Sequence, residues 1–394
     1  MAALGAATLG ATPAWAGARA PADTSLGARL YDIVKAYSRW PVHRTGTDTE
    51  AAALDWFQSE LRQRGAKTSR WDYSYPRYEW TAQVRVAGRT AQTIPLYYEG
   101  VGEVSSDKPF VRSVTISDTG GDAEVLAAVK DAKADNARLA VLPVFNANRG
   151  YPTYDGLVAD NRDPAAATTG VPTLFIPGRL ADQAARDVQA HLSARIVNDR
   201  SHDITGWFGK PVADPIVVTT PLSGWFTCAA ERGSGIAVAL ELAADLARTH
   251  PVFFLGNSGH ELNNFGARAY LQDAFELRPT AVFHIGASIA AGGTDTQGHF
   301  GLVPRVVASN PPVASVPGLA EAVQLGNFVP TPTFPGEGAV WSQKLGSSVP
   351  LLSFAGQFPQ FHTPDDRPGV ATDPSLLDTA YRSVRGAAQA LLGA

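Results

Sequence analysis

Ionisable residues gather at predicted strand ends, and the clearest example is the pair His260 and Glu261. The pair follows an apolar run, 252–255, that is bounded by Gly256. A short apolar run of this kind is typical of a strand buried on both faces of a parallel sheet. Open α/β sheets bind ligands beyond the carboxyl ends of their strands. The pair is therefore predicted to lie at a catalytic or metal site.

Three further loops at predicted strand ends carry residues that could do chemistry. One contains Glu231 and Arg232 before a glycine-rich helix start, the second contains His284, and the third contains His362. An imidazole titrates near neutral pH, so His260 is interpreted as a general base, a metal ligand or a structural partner of a carboxylate. For His284, a position in the core is the favoured interpretation.

Composition describes a loop-rich globular chain and excludes several functions. The 394 residues are 45% hydrophobic, include 37 glycines and 28 prolines, and carry a formal net charge of −4. A general nucleic-acid binder needs a basic surface to displace counterions, so no nucleic-acid partner is expected. No apolar run approaches the ~20 residues that cross a bilayer, so no membrane span is expected.

Residues 1–21 are predicted to form a signal-like leader outside the fold. A small apolar run, 2–11, precedes an A-x-A pattern at 14–16, although the usual basic start is missing. The pattern predicts a secreted, periplasmic or cell-surface protein. The single cysteine, Cys228, excludes an internal disulfide and is most typical of a small buried apolar residue.

Alternating strand and helix patterns predict an α/β fold. Four apolar runs are strand-like: 216–218, 252–255, 281–285 and 349–354. Helical patterns lie around them, which indicates a mostly parallel central sheet with helices on both faces. Residues 84–200 have shorter strands and a polar loop, which predicts a small β-rich inserted domain. The main domain then comprises 22–83 and 201–394.

Capping signals predict where two helices begin. Thr47 with Glu50 three residues later forms a capping box for a helix that ends at Gly65. Thr372 or Asp373 caps the last helix, which has a proline in its first turn.

The order and spacing of these loops resemble the M28 family of zinc aminopeptidases, whose relatives include the glutaminyl cyclases. The family pattern is His-x-Asp, Asp-Asn-x-Ser-Gly, Gly-Glu-Glu, a strand-end Asp and a late Tyr-His-Thr. The matching segments contain, in order, Pro221, Glu231, His260, Gly286 and His362. The resemblance covers nearly everything after the leader. It implies a zinc-exopeptidase-like fold and an insert similar to a protease-associated domain.

The ligand set implied by the resemblance is kept only in part. The family's first-metal His and its carrier Asp fall on Pro221 and Ser223, and the strand-end Asp falls on Gly286. One metal position is therefore lost. The residues that remain would hold one zinc: Glu231, Glu261 and His362. Two carboxylates and one imidazole are a normal zinc set that leaves a fourth position for water.

Other residues are assigned supporting roles. Arg232 and His260 are the catalytic candidates: the arginine could neutralise Glu231 or clamp a substrate carboxylate, and the histidine could move protons. Asp365 is a candidate to orient His362. Four aromatic residues near the loops are candidates for a substrate pocket: Trp225, Phe226, Trp341 and Phe361.

Three functional hypotheses follow. The first is an exported M28-like metallohydrolase of aminopeptidase or amidohydrolase type, with at most one zinc, whose bound water attacks a small peptide or N-acylated amine. The second is a metal-free pseudopeptidase that acts as a binding protein, in which salt bridges replace metal ligation. The third is a cyclase or acyltransferase of the glutaminyl-cyclase type.

Overall fold

The structure, a computed structural model, describes residues 24–117, 123–166 and 169–393, so the predicted leader lies outside the described residues. The α-helices of the described residues are α1 (Thr24–Tyr37), α2 (Asp48–Gln63), α3 (Ala123–Ala134), α4 (Ala181–Ala184), α5 (Ser234–Leu246), α6 (Phe265–Asp273), α7 (Leu319–Leu325), α8 (Glu337–Leu345) and α9 (Pro374–Leu392). The strands are β1 (Lys67–Val86), β2 (Arg89–Ala91), β3 (Ile94–Pro95), β4 (Gly102–Ser106), β5 (Phe110–Val111), β6 (Val114–Ser117), β7 (Ala140–Ala147), β8 (Thr173–Pro177), β9 (Val188–Phe208), β10 (Ile216–Pro221), β11 (Val252–Asn257), β12 (Ala281–Ile285), β13 (Gly292–Thr294), β14 (Phe300–Leu302), β15 (Arg305–Asn310), β16 (Phe328–Pro330) and β17 (Leu351–Ala355).

The central sheet has a parallel middle and antiparallel flanks. Its strand order is β16-β15-β17-β12-β10-β11-β9-β1-β2, with β4 also paired to β9. Strands β17, β12, β10 and β11 are parallel to their neighbours in that group. Strand β9 joins β11 antiparallel, and β15 joins β17 antiparallel. The predicted α/β class is confirmed.

Helices cover both faces of the parallel middle, so its strands are buried at every position. Along β10, Ile216 and Val218 point into one core with the apolar faces of α1, α5 and α9, whereas Val217 points into another with Tyr270 of α6 and Trp341 of α8. Successive side chains of a strand point to opposite faces, so one strand supplies both layers. None of the described helices is long and apolar enough to cross a membrane.

A long two-stranded ribbon connects the central sheet to the insert. Strands β1 and β9 pair without interruption from Lys67↔Trp207 to Val86↔Val188. Beyond the ribbon lies a second sheet, ordered β3-β8-β7-β5 with β6 on β7. The boundaries predicted at 84 and 200 fall within these two strands. The hydrogen-bonded ladder therefore crosses both predicted boundaries, and neither of them falls in a loop.

Asp373 is the N-cap of the last helix, α9, and its carboxylate accepts hydrogen bonds from the first turn. Its Oδ1 accepts the N–H groups of Ser375 (2.8 Å) and Leu376 (2.9 Å). We expect Asp373→Ala to lower the free energy of unfolding by about 1 kcal/mol, because both N–H groups lose their acceptor. Urea unfolding measures this. The control Asp373→Asn keeps an acceptor and is expected to lose much less; an equal loss in both variants would contradict the cap.

Candidate functional site

The predicted site residues lie at one edge of the sheet. Strands β10, β11, β12 and β17 run parallel, so their carboxyl ends meet there, and the loops that follow them are neighbours. Several non-glycine residues in this region have left-handed backbone, among them Cys228 (φ 51°), Ser288 (φ 65°) and His362 (φ 59°). Such conformations cost energy in residues other than glycine and often occur at functional sites.

A buried ion pair occupies the centre of this region. A π-helical turn, Ala229–Gly233, leads into α5 and carries Glu231 and Arg232, each only 1% exposed. The Arg232 Nη2 lies 2.7 Å from Glu231 Oε1, and Arg232 Nε donates to the Ser223 carbonyl at 2.7 Å. Burial alone would raise the pKa of Glu231, but Arg232 and His362 outweigh it and lower this pKa to about 2. Glu231 is therefore a carboxylate whose counter-charge is a guanidinium.

His362 lies against the same carboxylate. Its Nε2 is 3.3 Å from Glu231 Oε1, and its ring stacks on Phe361 with centroids 3.9 Å apart. Neither Glu231 Oε1 nor His362 Nε2 has a partner in hydrogen-bonding geometry. Asp366, four residues after His362, accepts the N–H groups of Ala230 (2.7 Å) and Glu231 (3.0 Å) and so fixes the turn.

Glu261 is held apart from these two residues. Its Oε1 accepts the N–H of Thr45 (2.6 Å), and its Oε2 accepts the hydroxyl of Ser223 (2.7 Å). The same Ser223 oxygen accepts the N–H of His260 at 2.9 Å. Glu261 also lines a separate cavity of about 300 Å³. Each carboxylate oxygen of Glu261 thus already has a donor from the protein.

The three predicted ligands do not fit a zinc ion as they stand. Among the described residues, the metal-binding types that come within 4.8 Å of one another as a group are instead Cys228, Glu231 and Asp366. In that group the Arg232 cation lies against Glu231, and burial raises the pKa of the Cys228 thiol and, to about 8, that of Asp366. A second cation at Glu231 would be repelled by Arg232, which already neutralises this carboxylate.

A second cluster surrounds Glu337, at the start of α8. Glu337 Oε1 lies 3.2 Å from Nδ1 of His260, and its Oε2 lies 3.8 Å from Nε2 of His284. Asn257 donates to Oε2 at 3.2 Å, and Nδ1 of His284 lies 2.8 Å from the Ser353 hydroxyl. Burial raises the pKa of Glu337 to about 8 and, aided by Arg232, lowers that of His284 to about 3.

This cluster forms part of the wall of a cavity of about 630 Å³. His260, His284, Glu337 and His362 line it, together with Phe361 and with residues 158–161 of the insert. The cavity therefore lies between the insert and the strand ends of the main domain. Its volume is within the range of sites that hold small molecules.

Of the predicted pocket residues, Phe361 is the one that lines this cavity. Trp341 is fully buried and packs edge-on against Phe275 with centroids 5.1 Å apart. Trp225 is also buried, where its Nε1 donates to Asn161 at 2.8 Å. Both tryptophans are thus core residues that support the walls of the site.

Two other predicted residues have partners different from those expected. Phe226 is half-buried, and its carbonyl lies 2.7 Å from Nδ1 of His43. Asp365 accepts the Tyr154 hydroxyl at 2.9 Å and pairs with Arg367 at 2.7 Å. Asp365 therefore ties the loop to the insert, which is a different role from orienting His362.

Glu337 is a site residue that the sequence motifs do not single out, and the flanking glycines Gly336 and Gly338 are its one local signal. Glu337 stands between two glycines that are needed on structural grounds. Gly336 has φ 51°, and a Cβ on Gly338 would lie 2.1 Å from the Ser353 hydroxyl. An acidic residue between two such glycines at a helix start lies close to a neighbouring element of the fold.

Comparison with known proteins identifies the fold. No protein-family model and no curated protein matches the chain. Among solved structures, a zinc aminopeptidase from Bacillus subtilis is 17% identical with a TM-score of 0.65, covering 92% of this chain and 94% of its own. A peptidase M28 precursor from Shewanella amazonensis SB2B is 13% identical with a TM-score of 0.67, covering 93% and 95%. An aminopeptidase from Aneurinibacillus sp. strain AM-1 is 15% identical with a TM-score of 0.57, also covering 93% and 95%.

These likenesses extend over nearly the whole chain. The chain therefore has the fold of the M28 zinc aminopeptidases, and the resemblance predicted from its motifs is confirmed at the level of the fold.

Proposed function

We propose that this chain is a pseudopeptidase that binds a small peptide or N-acylated amine in the 630 Å³ cavity and holds no zinc at Glu231, Glu261 and His362. The ligand is of the kind that the resemblance implies as substrate, but it is bound without hydrolysis at the family's metal position. Export from the cell, as the leader pattern predicts, is part of the proposal.

The observation that carries this proposal is the ion pair of Glu231 and Arg232. The guanidinium lies 2.7 Å from the carboxylate, and both side chains are buried. A buried carboxylate needs a positive partner, which a metal ion or an arginine can supply. Here Arg232 supplies it, so a zinc ion at Glu231 would have to share a carboxylate with a cation that cannot lose its charge.

The wall of the cavity supports a ligand that contains an amide group. At neutral pH the raised pKa of Glu337 favours its protonated form, and the lowered pKa of His284 favours the neutral imidazole. These two groups therefore add no net charge to the wall, which suits the neutral amide of a peptide-like ligand. Phe361 adds an apolar surface for a side chain.

The test combines binding and turnover. We expect dipeptides or N-acetyl amino acids to bind wild type and Glu261→Gln with the same Kd, with no product by mass spectrometry. Phe361→Ala is expected to weaken binding about tenfold, equivalent to ~1.4 kcal/mol. The control His299→Ala changes an exposed side chain and is expected to have no effect. Product that forms in wild type and is lost in Glu261→Gln would overturn the proposal.

That outcome would support the mononuclear zinc hydrolase instead. One observation favours this second candidate: His362 Nε2 is buried without a partner in hydrogen-bonding geometry and lies 3.3 Å from Glu231 Oε1. Zinc ligands in a tetrahedral site lie at a similar separation from each other. The hydrolase would require Arg232 to move away and Glu261 to exchange its two protein donors for the metal.

A further inference from the structure

The cluster around Glu337 is electrostatically incomplete. The carboxyl group is fully buried, and among the described residues no lysine or arginine pairs with it. Its neighbours are two imidazoles and the side-chain amide of Asn257. A carboxylate in this position must either carry a proton or face a cation from outside the chain.

His284 is arranged as a metal-binding histidine usually is. Its Nδ1 lies 2.8 Å from the Ser353 hydroxyl, which leaves Nε2 as the free ring nitrogen. Nε2 is buried and has no hydrogen-bond partner, since Glu337 Oε2 is 3.8 Å away. Histidines that bind metals commonly hold the second ring nitrogen on a fixed polar group, which selects the tautomer and the ring orientation. An unpartnered, buried Nε2 beside a carboxylate indicates that a ligand is missing.

His260 completes the set from the other side of the carboxyl group. Its Nδ1 lies 3.2 Å from Glu337 Oε1, and its side chain is 10% exposed to the cavity. We propose that His260, His284 and Glu337 form a binding site for a divalent transition-metal ion, such as zinc, at the wall of the cavity. Two imidazoles and one carboxylate are ligands that Zn²⁺ and its first-row neighbours prefer. The cavity leaves a coordination position for water or a ligand.

Binding requires a local movement and loss of the Glu337 proton. The three donor atoms do not yet lie within 4.8 Å of one another, and the two imidazoles face different oxygens of Glu337. A Cβ built on Gly336 would lie 3.9 Å from His260 Cε1 and would have no other atom beyond its chain neighbours within 4 Å, so the His260 ring is loosely packed on this side. The Ser353 hydroxyl holds His284, so the movement falls to His260.

This site differs from the predicted ligand set and goes beyond the proposed function. Glu231 and His362 take no part in it, and the Arg232–Glu231 ion pair remains intact. The proposed cation therefore lies at Glu337, which pairs with no lysine or arginine among the described residues, and not at Glu231, which Arg232 neutralises.

Cobalt(II) titration of metal-stripped, untagged protein tests the site. Tetrahedral Co²⁺ gives intense visible absorption, so the readout is independent of activity. We expect one Co²⁺ per chain, with affinity at least ~10-fold weaker in His284→Ala and in Glu337→Gln. Glu337→Gln is nearly isosteric, so it tests the site even if His284→Ala fails to fold. The control His299→Ala removes an exposed imidazole outside the site and is expected to bind as wild type does.

Two results would overturn the inference: no cobalt bound by folded wild-type protein, or loss of cobalt in Glu231→Gln with retention in Glu337→Gln. The dipeptide-binding measurement is separate. If dipeptides bind and cobalt does not, the metal site fails and the pseudopeptidase stands; if cobalt binds through Glu337 and dipeptides do not, the reverse holds.

Discussion

Arg232→Met is expected to lower the free energy of unfolding by about 3–5 kcal/mol, because it leaves the Glu231 carboxylate buried without its counter-charge. Methionine keeps most of the volume of the arginine stem, so the loss reports the charge and its hydrogen bonds more than a cavity. Urea unfolding at pH 7, followed by circular dichroism, measures the change.

Two further variants separate the buried pair from a general loss of arginine. The double variant Glu231→Gln/Arg232→Met removes both charges and is expected to recover a large part of the loss. Arg385 pairs with Asp245 at 2.6 Å on the surface, so Arg385→Met is expected to cost less than ~1 kcal/mol. If Arg232→Met costs no more than Arg385→Met, the central role given to the buried pair is wrong.

Stability is expected to fall by several kcal/mol as the pH rises from 6.5 to 8. Burial raises the pKa of Glu50, Glu337 and Asp366 to about 8 in the folded chain. Unfolded carboxyls have pKa values near ~4, so in this window the folded chain holds protons that the unfolded chain has lost. Each such group contributes stability that is complete below pH ~4 and is lost as the pH rises through 8, at up to ~1.4 kcal/mol per pH unit.

The buried histidines oppose this slope only at the low end of the window. Burial lowers the pKa of His43 to about 4 and that of His284 to about 3. Unfolded imidazoles have a pKa of ~6.5, so at pH 6.5 about half of them still bind a proton that the folded imidazoles have lost. Above pH ~7.5 these histidines are neutral in both states, so the slope from there to pH 8 isolates the carboxyls.

Glu50→Gln tests the contribution of one carboxyl. Glu50 accepts the N–H of Gly46 at 2.8 Å and the hydroxyl of Ser258, contacts that a glutamine can keep by using both its oxygen and its amide group. Denaturant unfolding at pH 6.5 and at pH 8 is expected to show a slope smaller by about 1 kcal/mol per pH unit in the variant. An unchanged slope would mean that Glu50 is ionised in the folded chain.

The sequence predicted the parts of the fold that depend on local pattern. The apolar runs 252–255 and 281–285 lie within β11 and β12, and Asp373 caps α9 as expected. The 20-residue ladder of β1 and β9 was not predicted, because pairing between segments more than 100 residues apart leaves no periodic signal in either one.

The sequence predicts which residues follow parallel strands and so lie at one edge of the sheet. It does not predict which of their side chains contact one another. His260, Glu261 and His362 follow strands, so parallel topology brings them to one edge. Glu337 comes from a helix start elsewhere in the chain, and no spacing rule connects it to His260. Likewise, Glu261 was grouped with Glu231 by motif, although Thr45 and Ser223 hold it in another direction.

The unbroken ladder of β1 and β9 has a mechanical consequence. Main-chain hydrogen bonds run along both strands across the predicted boundaries at 84 and 200, so a hinge at either boundary would have to break them. Amide protons along the ladder should exchange with solvent at similar rates on both sides of the predicted boundaries, which marks one cooperative unit. Any bend between the central sheet and the second sheet must then lie beyond Val86 and Val188, where the ladder ends.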